Sequence, residues 1–179
     1  MSRTFAIDYF PVDAPLPELG LLEPYLNWWR EFVRNAPKPT RHDLNFRDFR
    51  GWHSHLTLCA AVDDDSDLEL RIIGEEVKAL YAGPPDRKRV DLDRGMRLGK
   101  IIEVSAERQR NHIRKIVRTP AISLTQGLLK LGSGREIDVF CLDFPLAPVP
   151  GETAFVLSVY DFSIPAEERY LPHQGLSDF

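Results

Sequence analysis

His112 is a side chain that could serve proton or metal chemistry, because it flanks an apolar stripe on a helical stretch. There an imidazole can act as a base or as a haem ligand. No acid is paired with it in the sequence, and a surface or half-buried helix histidine accounts for the same spacing. Carboxylates supply a second chemistry. Asp138 and Asp143 interrupt the apolar run I-D-V-F-C-L-D-F, and a carboxylate inside an apolar pocket has its pKa raised toward the range of general acid and base work. An Asp exposed at a strand edge is the simpler account of the pattern. His53 and His55, with His42 as a third, could face a metal from an extended segment. Ligation needs three or four converging groups, and no companion stands at a matching spacing. Asp63, Asp65 and Asp67 start like a calcium loop, but Leu68 occupies the position that needs Gly and Gly74 the position that needs Glu. They read as an acidic hairpin turn. Gly132-Ser133-Gly134 lacks the third Gly of a dinucleotide fingerprint and is followed by a strand rather than a helix.

Charge and aromatic spacing point to surfaces rather than to reactions. The 179 residues carry a net charge of −4, too small and of the wrong sign for a dedicated nucleic-acid binder. Residues 84–118 hold 11 Lys/Arg against 5 Asp/Glu, a net of +6 that leaves −10 elsewhere. Within that segment Arg110, Arg114 and Arg118 fall at i, i+4 and i+8, along one helix face. They form either a solvated face partly neutralised by Glu107 or a docking surface for an acidic partner or a phosphate. Trp28 and Trp29 cannot both point the same way on one helix. With Phe32, they are core residues of which at least one reaches the edge of the packed stripe, where self-association becomes available.

The elements that must position these residues belong to one ordinary domain. The composition, 43% hydrophobic and 28% charged, is globular and argues against long disorder. Cys59 and Cys141 lie far apart in apolar runs, outside any Cys-x-x-Cys pair, which favours buried reduced thiols and a cytoplasmic location. Asp8 interrupts the first apolar stretch, so no signal-peptide core is expected, and no apolar run is long enough to span a membrane.

Residues 1–18, broken by Pro11, Pro15 and Pro17, are expected to form a flexible arm. A helix over 19–35 carries Leu22, Leu26, Trp29 and Phe32/Val33 on one stripe. After a Pro-rich breaker, Asp43 is expected to cap a short helix bearing Phe46, Phe49 and Trp52. Residues 56–62 and 68–73 read as a hairpin around the acidic turn, followed by a short helix at E-E-V-K-A-L-Y-A and a longer one over 98–117, with Ile102, Ala106, Ile113 and Ile116 on its apolar face. Strands over 122–131, 136–146 and 153–161 complete the chain, the first two joined by a turn in which Gly132 and Gly134 supply positive φ. Ile137, Val139 and Cys141 alternate with Phe140, Leu142 and Phe144, so both sheet faces must be covered. The central helices cover one; the Trp28/Trp29 helix, or another subunit, covers the other.

This order of elements resembles the PAS sensory domain, and most closely a bacterial family of small stand-alone PAS proteins. The likeness rests on the Trp29 helix followed by P-T-R-H-D-L, on L-E-L-R-I-I-G-E-E-V through Gly74, on Thr119-Pro120, and on D-F-P-L from Asp143 with V-L-S-V-Y-D-F after it. It spans about residues 21–162, within a PAS-like domain over 19–162 that leaves 163–179 as a tail. The resemblance implies an α+β fold: a five-stranded antiparallel sheet of order 2-1-5-4-3, with helices on one face around a cavity. It implies a sensory or regulatory protein that acts in trans on another signalling protein or by forming a homodimer, and not an enzyme. No cofactor is expected: the flavin subclass needs a reactive Cys in a helix, whereas Cys59 and Cys141 lie in strands, and His112 is displaced from the haem position. A small apolar ligand, or none, stays open. Two alternatives stay open beside it, a small α+β cavity enzyme of the isomerase or dehydratase type and a ligand-free adaptor.

Overall fold

A sheet whose strands are apolar on both faces needs a layer on each side, and here the chain supplies both. The computed structural model describes residues 6–15, 23–83 and 90–162. In chain order the elements are β1 (Ala6–Pro11), α1 (Glu23–Asn35), β2 (Leu56–Val62), β3 (Asp67–Ile73), α2 (Glu75–Ala82), α3 (Ala106–Val117), β4 (Ala121–Lys130), β5 (Glu136–Leu146) and β6 (Phe155–Tyr160). The six strands form one open sheet in the order β1-β4-β5-β6-β2-β3, antiparallel at every pairing. The fold is α+β.

On one face α1 lies in cis. Leu26 and Trp29 are fully buried against Leu124, Leu142, Phe144, Leu157 and Val159 from the central strands. Trp29 stacks on Phe144 with ring centroids 4.9 Å apart, and Tyr25 meets Trp52 edge-on at 4.4 Å. Trp28, half-buried, is wedged between Phe32 at 5.0 Å and Phe49 at 4.8 Å. The other face carries α2 and α3, whose Val77, Tyr81, Ile113 and Ile116 pack over Cys59, Leu70, Val139, Cys141 and Val156. Ser105 caps α3 by accepting from the Arg108 N–H at 3.3 Å, and Arg114 and Lys115 in the last turn complement its dipole.

Four expectations need correction. The sheet has six strands rather than five, because residues 6–11 of the expected arm pair with β4. Pro11 closes that edge strand, where a missing N–H costs nothing. The helix expected over 98–117 is a single turn at Leu98–Lys100 followed by α3, which starts only where Ser105 can cap it. Ile102 instead bridges to Leu131, and Ala106 is exposed. The short helix capped by Asp43 is replaced by separate single turns. Thr40 and Asp43 cap the first reciprocally, and Asn45 caps the second. Of the two turn glycines, Gly134 takes φ +82° while Gly132 stays outside the left-handed region. Residues 16–22, including Leu19 and Leu22 of the expected arm and helix, the Pro84-Pro85 break and the expected 163–179 tail lie outside the described residues. No helix among the described residues is long and apolar enough to cross a membrane.

Candidate functional site

Antiparallel register converts scattered polar residues into a continuous row. Tyr9 on β1 faces Ser123 on β4, Ser123 faces Asp143 on β5, Asp143 faces Ser158 on β6, and Ser158 faces Thr57 on β2. Five adjacent strands thus place one polar side chain each along a line across the α3 face. Ser123, Asp143, Ser158 and Thr57 are all buried. The Ser123 hydroxyl donates to Asp143 Oδ2 at 2.6 Å.

Above this row the sheet and α3 do not close on each other. Between them lies a cavity of about 380 Å³, with Leu70, Val77, Ile113, Val139 and Cys141 among its apolar walls and Thr57, Asp143 and Ser158 in its floor. That volume falls within the range of small-molecule pockets. Glu103, Arg108 and Lys130 are exposed residues of its lining, and Lys130 pairs with Glu103 at 2.9 Å. Gln109, one turn before Ile113, is anchored by its amide to Asp67 Oδ1 at 2.5 Å, which fixes the start of α3 to the start of β3.

His112 hangs from α3 into this space. Its Nδ1 is 2.8 Å from the Tyr9 hydroxyl, and its Nε2 is 3.9 Å from Asp143 Oδ2. About a fifth of the side chain is accessible, and His112 lines the cavity. Burial therefore disfavours the charged imidazolium and lowers the His112 pKa; Asp143 opposes this and Lys115 adds to it. Lys115 Nζ sits 4.6 Å over the Tyr9 ring. The Tyr9 phenol is pushed up by desolvation and by Asp143, and Tyr81 and Tyr160 are pushed up by burial. Burial pushes the Cys59 thiol up to about 12 and the Cys141 thiol well above its ordinary value, so neither is a thiolate nucleophile.

The remaining sequence candidates separate. Asp138 falls on the α1 face by alternation with Asp143. His53 Nε2 contacts the Phe46 carbonyl at 2.7 Å, His55 packs edge-on against Phe162, and His42 joins Arg41 on Glu152, whose carboxyl is held at about 2 chiefly by the Arg41 guanidinium. Among the described residues no group of three or more His, Cys, Asp or Glu is placed to hold a metal. Arg114 reaches Asp64 at 2.9 Å, and Arg118 reaches Asp64 at 2.7 Å and Asp65 at 2.5 Å. Two of the three expected docking arginines are thus engaged within the chain, while Arg110 is exposed. Trp28, Trp29 and Phe32 sit in the aromatic layer of the α1 face, away from the cavity. Tyr9, Ser123, Ser158 and Thr57 were not singled out from the sequence, where each is a polar position flanked by apolar neighbours in its strand or, for Tyr9, next to Asp8. Compared with models of known protein families, with curated proteins and with solved structures, the chain matches none.

Proposed function

We propose that the chain is a PAS-like sensory or regulatory module that holds a small molecule between α3 and the sheet and signals in trans, through another protein or through a second copy of itself. The observation that carries this reading is the cavity with its polar floor: a protein built for packing alone would fill about 380 Å³ with side chains. The strand order adds support. Counted without β1, the strands run 2-1-5-4-3 by chain position, with α2 and α3 together on the cavity face. The test is a thermal-shift and NMR titration of the chain with a panel of cavity-sized uncharged compounds, run beside Val139→Trp, in which bulk occupies the cavity. At 100 times its Kd a ligand stabilises by about 2.7 kcal/mol. At least one compound is expected to raise the melting point of the parent but not of the variant. Light scattering with that compound then reads whether association changes. A panel with no binder at all would leave the adaptor reading in its place.

A second reading has its own observation. His112 and Asp143 share an apolar cavity, as an acid and base pair for an isomerase or dehydratase would. It calls for deuterium exchange from solvent into a bound ketone, lost in His112→Gln; ketone binding without exchange favours the sensory reading.

A further inference from the structure

The chemistry around His112 narrows what the cavity accepts. We propose that the ligand is a small, uncharged, mostly apolar molecule bearing one hydroxyl group, and that this hydroxyl sits between His112 Nε2 and Asp143 Oδ2. The proposal rests on the reading of the cavity as a binding site and adds the ligand's class.

The 3.9 Å between those two atoms is too long for a hydrogen bond. An oxygen about 2.8 Å from each fits between them. What that oxygen must do follows from its neighbours. The Asp143 carboxylate only accepts, and Ser123 already donates to it. A carboxylate beside Nε2 favours the tautomer with hydrogen on that nitrogen, which leaves Nδ1 to accept from the Tyr9 hydroxyl at 2.8 Å. The gap is therefore flanked by an N–H donor and a carboxylate acceptor. A hydroxyl satisfies both, accepting from His112 while donating to Asp143. A carbonyl or ether oxygen accepts from His112 but donates nothing to Asp143. A carboxylate is repelled by Asp143. An ammonium cannot accept from Nε2–H, and its charge adds to that of Lys115, which already bears on His112. The rest of the ligand meets Ile7, Leu70, Val77, Ile113 and Val139, and the volume lies near the lower end for ligand pockets, which suits one ring or a short chain. Tyr9 is a positioning residue here, holding the ring from the strand that closes the sheet edge.

Isothermal titration of the full chain at neutral pH with 4-propylphenol, propylbenzene, 4-propylbenzoate and 4-propylbenzylamine separates the possibilities. The phenol is expected to bind about tenfold or more tightly than the hydrocarbon, with the benzoate and amine weaker than the phenol, because only the hydroxyl gains a hydrogen bond to each of the two flanking groups. Asp143→Leu and His112→Phe should each shrink the phenol preference to about threefold or less while still binding propylbenzene. If either variant fails to fold, the preference measured on the parent decides. Equal binding of phenol and hydrocarbon, or a benzoate or amine that binds best, overturns the hydroxyl proposal and leaves the cavity as a binding site. Binding of none of the four overturns this proposal, and the broader reading then stands or falls on the compound panel.

Discussion

The two faces of the one sheet are built from the same six strands and finished in opposite ways. The α1 face is closed with rings: Trp29 on Phe144, Trp28 between Phe32 and Phe49, Tyr25 against Trp52. The α3 face carries a helix whose inward residues include Gln109 and His112, and the strands below it present Tyr9, Ser123, Asp143, Ser158 and Thr57 instead of a full apolar surface. Close-packed interiors resist small changes of volume, so the ring layer under α1 supplies rigidity. Polar groups buried beside a cavity cost stability that a denser core would not lose. The ring layer on the other face offsets that cost.

The largest effect should come from the packed side. Trp29→Ala removes a side chain with 1% exposure from the centre of the aromatic layer and should cost about 3–5 kcal/mol in urea unfolding. Trp28→Ala, at a half-buried position, should cost about 1–3 kcal/mol. The comparison between the faces breaks if the two costs are equal, or if both fall below about 1 kcal/mol; α1 would then be an appendage rather than a covering layer.

An intermediate effect belongs to the hollow side and appears as pH dependence. His112 is faced by Tyr9 from β1 and Asp143 from β5, with Lys115 on its own helix. Its folded pKa is lowered by burial, so as pH falls below about 6.5 the unfolded chain takes up the proton first. Stability from this group is whole above that value and is lost as pH falls toward the lowered one, by at most about 1.4 kcal/mol per pH unit. The carboxyls of Glu152, Asp43 and Asp64, held low by their partners, act only at more acid pH. Urea unfolding between pH 7.5 and 5.5 should therefore show a steeper loss for the parent than for His112→Gln. Parallel curves would place the imidazole in open solvent.

The same contrast explains what could be read from the chain. The α1 face was legible because Leu26, Trp29 and Phe32 repeat at helical spacing and because Phe140, Leu142 and Phe144 alternate along one strand. The hairpin at the acidic turn and the bounds of β5 followed from period two and from Gly134. The cavity floor was not legible, since nothing along one strand tells its cavity-facing polar residue from the others, such as Ser123 from Gln126 or Asp143 from Asp138. Only the register of five strands, four of them distant in sequence from β1, brings them into line. Asp143 was singled out for its apolar surroundings and His112 for its place on the helix, but the 3.9 Å between their atoms is a product of folding alone. β1 escaped because Pro11 and its neighbours suggest an arm, and an edge strand needs little more than Tyr9 and Phe10 alternating between the two faces.

The smallest effect should lie at the rim, where the basic stretch meets the acidic turn. Asp63, Asp64 and Asp65 take φ values of 53°, 57° and 57°, three left-handed residues in succession, which side chains other than Gly rarely adopt. Arg97 holds Asp63 at 2.8 Å, while Arg114 and Arg118 from the end of α3 hold Asp64 and Asp65. The contacts tie the last turn of α3 to the hairpin, as Asp67 and Gln109 tie its beginning, so the helix roofing the cavity is fastened at both ends. Ion pairs this exposed contribute little to global stability and are screened by salt. Arg114→Gln combined with Arg118→Gln should therefore leave the melting temperature within about 2 °C of the parent. Amide exchange in the turn and in the final turn of α3 should speed up, as added salt does to the parent, and Arg110→Gln, changing an exposed side chain ahead of the clamp, should alter neither reading. A drop in melting temperature well beyond that range would make the clamp part of the core. Unchanged exchange would mean that backbone hydrogen bonds alone shape the turn, leaving both arginines free to meet a partner.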